Sequence, residues 1–123
     1  MRKIKINAST SYEVIIGRDF LKDSGKLIKE VIEPCRDVII GDDNTLPLYG
    51  NILEDSLKNE NFDTLTFSFP HGEESKNTST LVELLEFLAL NKITRKDIII
   101  ALGGGVTGDI SGLAAATYLR GIR

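Results

Sequence analysis

The chain has one cysteine, Cys35, one histidine, His71, one methionine, three prolines and no tryptophan. A single thiol cannot cross-link the fold, so a disulfide scaffold is excluded and a reducing compartment, the cytoplasm, is expected. Cys35 and His71 lie 36 positions apart, which matches no zinc motif of ordinary spacing. The chain is therefore expected to hold no metal of its own. Positive charge is short as well, since 15 Lys and Arg against 18 Asp and Glu leave a net charge of -3. That balance provides no basic surface for sequence-independent phosphate binding, so nucleic acid is not an expected partner. Nor does the charged start Met1-Arg2-Lys3 lead into an apolar signal core. One segment invites comparison with a membrane span, Ile98 to Leu119, but it carries Asp109 and five glycines among its 22 residues. Each mid-helix glycine costs up to about 1 kcal/mol, and an Asp at the bilayer centre roughly 3 kcal/mol. A buried strand, a glycine turn and a buried helix are predicted there, with no membrane partner. The 123 residues, 41% hydrophobic and 27% charged, then suit one ordinary folded domain.

Lys3 to Asn7 alternates with period two and Tyr12 to Ile16 is β-prone, which predicts an N-terminal hairpin. A helix is expected from Asp19, as N-cap, to Ile32, weakened by Gly25 and closed by Pro34. Val38-Ile39-Ile40 reads as a buried strand running into the polar loop Asp42-Asp43-Asn44. Pro47 opens a helix that presents Tyr49, Ile52, Leu53 and Leu57 and stops near Asn61. Thr64 to Phe69 is a strand, ended by Pro70-His71-Gly72. Leu81, Leu84, Leu85 and Leu88 mark the next helix, with Thr80 and Glu83 at capping-box spacing. Asp97 to Leu102 is the last strand, followed by Gly103 to Gly108 and a helix to about Arg120. This order predicts an α/β fold, a Rossmann-like doubly wound parallel sheet behind the hairpin. Ligands of such sheets bind outside the carboxyl ends of the strands.

Three loops meet at that edge. Gly103, Gly105 and Gly108 match G-x-G-x-x-G between a strand and a helix, where backbone N–H groups and the helix dipole favour an anion. Tight packing of helix on strand is the competing explanation of the same glycines. No G-K-[ST] follows, which argues against a P-loop. Behind the turn, Gly108, Gly112 and Ala115 form a small-residue face, while Ile110, Leu113, Ala114 and Thr117 are expected to pack on the sheet. Asp109 either caps the helix or faces a hydroxyl-bearing group. Asp42, Asp43 and Asn44 fit ribose hydroxyls or, equally, a polar turn. Gly72-Glu73-Glu74-Ser75-Lys76 brings two carboxylates and a cation, or is simply a solvated loop.

Taken together, the three loops resemble 3-dehydroquinate synthase along essentially the whole chain. The residues that carry the likeness are Asp42-x-Asn44 before Leu46-x-Leu48-Tyr49, Gly72-Glu73-x-x-Lys76, and Leu102-Gly-Gly-Gly-Val-Thr-Gly-Asp109 continuing to Ala116-Thr117-Tyr118-Leu119-Arg120-Gly121. The resemblance implies that Asp42 and Asn44 contact the adenosine ribose of NAD. It implies that His71, Gly72, Glu73, Glu74, Ser75 and Lys76, with Gly104, Gly105, Val106, Thr107, Gly108 and Asp109, hold that cofactor. The resemblance further implies that Asp109 approaches the substrate and that Arg120 reaches the substrate phosphate of a neighbouring subunit, and with it a homodimer. His71 and Ser75 depart from the commoner family pattern, in which these positions are often acidic and aromatic respectively. The implied reaction turns 3-deoxy-D-arabino-heptulosonate 7-phosphate into 3-dehydroquinate and phosphate, with NAD and a divalent metal, zinc or cobalt. The metal ligands and catalytic lysines of the family fall in later sequence, so no catalytic residue is expected here. Residues 1–123 are thus expected to be a single NAD-binding domain, inactive alone, without the metal-binding domain. The cofactor-binding half of a related sugar-phosphate cyclase or polyol dehydrogenase, and a non-catalytic α/β binding module, remain the alternatives.

Overall fold

The computed structural model describes residues 1–123. β1 (Arg2–Ile6) and β2 (Tyr12–Ile16) pair antiparallel, with Ile4 opposite Val14 and Ile6 opposite Tyr12. This hairpin is a two-stranded sheet of its own. The other strands, β3 (Arg36–Asp42), β4 (Asp63–Phe69) and β5 (Ile98–Ala101), form one parallel sheet in the order β4-β3-β5. β3 takes the centre because its apolar run tolerates burial on both faces, and Val38, Ile39 and Ile40 are fully buried. Successive side chains leave opposite faces of a strand. Val38 and Ile40 accordingly join Phe69 and residues of α3 (Thr78–Leu90) and α4 (Gly105–Thr117), namely Leu84, Leu88, Ile110 and Ala114. Ile39 joins Ile98, Phe62 and residues Leu53 and Leu57 of α2 (Asn51–Asn59), with Ile28 of α1 (Ser24–Lys29) packed alongside. The doubly wound layering expected from the sequence is present. No helix is long and apolar enough to cross a membrane, and Ile98 to Leu119 divides into β5, a short glycine turn and α4.

Element boundaries depart from expectation where a specific contact outweighs periodicity. Asp19 caps nothing: it has a φ of 54°, and a 3-10 turn at Leu21–Asp23 precedes α1, which stops at Lys29 and leaves Val31 exposed. Gly25, a weak point by propensity, is where α1 meets α2. Its N–H donates to Ser56 Oγ at 2.8 Å, and a Cβ at this position would stand 2.1 Å from the Ser56 carbonyl oxygen. On α2 the buried face is Gly50, Leu53, Ser56 and Leu57, whereas Tyr49 and Ile52 point outward. The wide π-type turn at Leu46–Gly50 shifts the phase of the helix that follows. α3 is capped by Asn77, whose Oδ1 accepts from the Thr80 N–H at 2.9 Å, so Thr80 lies inside the helix instead of capping it.

α4 begins at Gly105, inside the glycine run rather than after it. Its sheet-facing residues are Thr107, Ile110, Ser111 and Ala114, and Leu113 and Thr117 are exposed. It ends at Thr117, where Leu119 adopts a φ of 49° within the closing turn. A mainly apolar groove of about 890 Å³ lies between the hairpin, α1 and β5, not at the carboxyl ends of the strands.

Candidate functional site

Parallel strands deliver their carboxyl ends to one edge, and hydrogen bonds knit the three loops that leave it. Asp43 N–H donates to the Phe69 carbonyl at 3.1 Å, and Leu102 N–H to the Ile40 carbonyl at 2.9 Å. The loop after β3 is organised by Asp42. Its Oδ1 accepts from the N–H groups of Asn44 at 2.9 Å and Thr45 at 2.7 Å, and from Thr45 Oγ1 at 3.1 Å. These donors, the Thr45 N–H foremost, hold the carboxyl below its ordinary range. Thr45 Oγ1 is also 3.2 Å from the Leu102 carbonyl, which ties this loop to the end of β5. Thr45 was not among the expected site residues, although Asp-x-x-Thr after a strand is a recognisable side-chain-to-backbone turn pattern.

The loop after β4 is fixed at both ends. His71 Nδ1 lies 2.6 Å from Asp43 Oδ1, and this contact pulls the imidazole up and the Asp43 carboxyl down from their ordinary values. Glu73–Ser75 form a 3-10 turn. Ser75 is buried and its hydroxyl donates to the Pro70 carbonyl, so it supports the loop from within while Gly72, Glu73 and Glu74 stay exposed. Lys76 Nζ reaches Asp109 Oδ2 at 2.7 Å, and the hydrogen bond to that carboxylate raises the ammonium above its usual value. Through Lys76, the β4 loop meets the first turns of α4.

At the start of α4 the backbone itself is presented. Gly103, with a φ of 153°, turns the chain, and a Cβ there would lie 2.7 Å from Thr107 Oγ1. Gly108 is the first residue to bond back, donating to the Gly104 carbonyl at 3.0 Å. The N–H groups of Gly105, Val106 and Thr107 therefore have no acceptor within the helix, and Gly104 provides no side-chain cap. Nothing lies within 4 Å of the Cβ positions of Gly104, Gly105 and Gly108, so this surface is open to close approach. Thr107 is buried and Val106 half-buried, and both offer the site their backbone. Asp109, in the second turn, faces Lys76 instead of capping the helix. Arg120 follows the far end of α4, about 20 Å of helix from Gly105 at 1.5 Å per residue, and is not part of this cluster. No group of three or more His, Cys, Asp or Glu is arranged to hold a metal ion.

The family model described as 3-dehydroquinate synthase N-terminal matches residues 66–123, the stretch that holds the β4 loop and the glycine turn. The 3-dehydroquinate synthase of Streptococcus suis (strain 05ZYH33) is 45% identical over 121 residues, which is 98% of this chain and 34% of that protein. Along almost its whole length the chain is thus similar to 3-dehydroquinate synthases. The enzyme of that name from Clostridium acetobutylicum is likewise 45% identical, over 91% of this chain and 32% of its own length. The chain thus spans about a third of the curated relatives it matches. Among solved structures, 2-deoxy-scyllo-inosose synthase complexed with carbaglucose-6-phosphate, NAD+ and Co2+ superimposes with a TM-score of 0.86 at 25% identity, covering 98% of this chain and 33% of that one. The 2-epi-5-epi-valiolone synthase of Streptomyces hygroscopicus subsp. jinggangensis 5008, with NAD+ and Zn2+ bound, gives 0.77 at 25% identity, over 97% and 32%.

Proposed function

We propose that residues 1–123 are the NAD-binding domain of a 3-dehydroquinate synthase, which converts 3-deoxy-D-arabino-heptulosonate 7-phosphate into 3-dehydroquinate and phosphate on the shikimate route to aromatic amino acids. The observation that carries this reading is the open start of α4, where free N–H groups and the uncovered Cβ positions of Gly104, Gly105 and Gly108 fit a pyrophosphate held by backbone alone. Bound NAD supplies a reversible hydride acceptor for a substrate alcohol. The chain's own part is to bind and orient. Gly104 to Gly108 hold the pyrophosphate, Asp42 and Asn44 offer their polar groups to the adenosine ribose, and the loop from His71 to Lys76 walls the site. Lys76 offsets the charge of Asp109, so that carboxylate can stand beside an anionic ligand and accept from a substrate hydroxyl.

The residues of this chain do not fit the divalent metal, zinc or cobalt, of this chemistry, and its ligands belong to another part of the enzyme. Arg120, remote from the cluster, suits contact with the phosphate of a substrate bound by a second subunit. A homodimer is supported by the apolar face of the hairpin, where Tyr12, Val14 and Ile16 are exposed; light scattering that shows a strict monomer at high concentration would contradict it. A cytoplasmic setting suits the free Cys35. A related sugar-phosphate cyclase is the second reading, favoured by the TM-score of 0.86 but opposed by the gap between 25% and 45% identity. Saturable NAD binding that is lost in Gly105→Val and Asp109→Ala tests the assignment.

A further inference from the structure

His71 is the only histidine of the chain, and its side chain is engaged by the protein. Asp43 Oδ1 accepts from the His71 backbone N–H at 2.9 Å and lies 2.6 Å from the ring Nδ1. Because the Asp43 N–H in turn donates to Phe69, these contacts close a ring between the ends of β3 and β4. Both side chains are more than half exposed, so the imidazole exchanges protons freely with water.

We propose that His71 and Asp43 form a proton-operated latch, which holds the β3 and β4 loops as one cradle for NAD when the imidazole is protonated and loosens when it is neutral. This rests on the NAD-binding reading above, and it makes His71 a positioning residue and not a cofactor contact. An ionised donor and acceptor bond about twice as strongly as neutral ones, and a cradle assembled in advance need not be ordered by the ligand. Histidine is the side chain whose ordinary titration falls between about pH 5 and 8.

The charged surroundings favour the latched form. Asp42 and Asp43 face the ring from the β3 loop, Glu73 and Glu74 share its own loop, and Glu54 of α2 lines the groove beside Asp43. The nearby cation, Lys76, is paired with Asp109 of α4. Asp43, and to a lesser degree Asp42, keep the imidazole above its ordinary value, so the transition is displaced toward neutral pH.

The test is a calorimetric titration of this chain with NAD across pH 5.5 to 8.5, with the His71 ring followed by NMR in the same buffers. His71→Asn keeps a donor where Nδ1 stands but cannot titrate, and Asp43→Asn removes the charged acceptor. The expected result is an affinity about fivefold weaker on the alkaline side, as one strengthened hydrogen bond implies, with its midpoint at the ring's own titration. Both variants should flatten the profile, and in Asp43→Asn the ring should titrate at a lower pH. Buried Asp37, which titrates in the same range, stays in both variants, so a pH dependence that persists in His71→Asn overturns the latch. A flat wild-type profile while the ring titrates overturns it as well and leaves NAD binding standing. No binding at any pH by a folded sample overturns the latch and the NAD reading together.

Discussion

Asp37 is the residue least at ease in this fold. It lies fully buried at the start of β3 with Oδ2 accepting from Thr64 Oγ1 at 2.9 Å and Oδ1 without any partner. Burial pushes the carboxyl up to about 7, against the Thr64 hydrogen bond that lowers it. The folded chain therefore binds this proton more tightly than the unfolded chain, whose carboxyl titrates near the ordinary 3.8. Stability from this group is fully present below about pH 4 and is lost as pH rises toward 7. At about 1.4 kcal/mol per pH unit across that interval, the loss is on the order of 4 kcal/mol. Asp37→Asn should remove that slope, so that denaturant melts of the two proteins diverge between pH 4 and 7, with the variant gaining on the wild type. Parallel curves would mean that Asp37 stays ionised or is solvated in the fold. No pattern in the sequence marks this residue, since an acid at the mouth of an apolar run reads as the polar end of a strand.

At the scale of elements, strands were more legible than helix faces. Val38-Ile39-Ile40 and Ile98-Ile99-Ile100 can be satisfied only between two layers, which left little choice of fold. Helix phase depends on where the first turn is laid down. In α4 the start at Gly105 rotates the buried stripe to Thr107, Ile110, Ser111 and Ala114, because Gly103 and Gly104 alone suffice for the turn. The start also gives Gly108 helical neighbours on both sides and open space where a Cβ would stand. Gly108→Ala should thus stabilise the chain by up to about 1 kcal/mol through helix propensity. The same methyl group narrows the approach to the free N–H groups, and NAD binding should weaken by about tenfold, or roughly 1.4 kcal/mol. Thermal melts and titrations of one sample check both halves. A variant that is stabilised with unchanged affinity would place the nucleotide elsewhere.

For the whole molecule, the parallel sheet explains how residues distant in sequence come to share a site. The loops themselves could be named in advance, because the carboxyl edge of such a sheet is where ligands bind and the glycine run falls there. Their connections could not. His71 pairs with Asp43 across 28 positions and Lys76 with Asp109 across 33, and neither pairing leaves a local signature. Ser75 turned inward is likewise a product of tertiary geometry, whereas Arg120 falls at the end of α4 as the sequence led one to expect. We propose that these loops, as one assembled edge, bind NAD through the backbone at the start of α4. A calorimetric titration of this chain with NAD, beside a circular dichroism melt of the same sample, tests it most directly. Saturable binding by a cooperatively melting chain, abolished in Gly105→Val that melts the same way, is the predicted result. A folded chain that gives no heat with NAD, or binds it equally well with valine at position 105, would contradict the account.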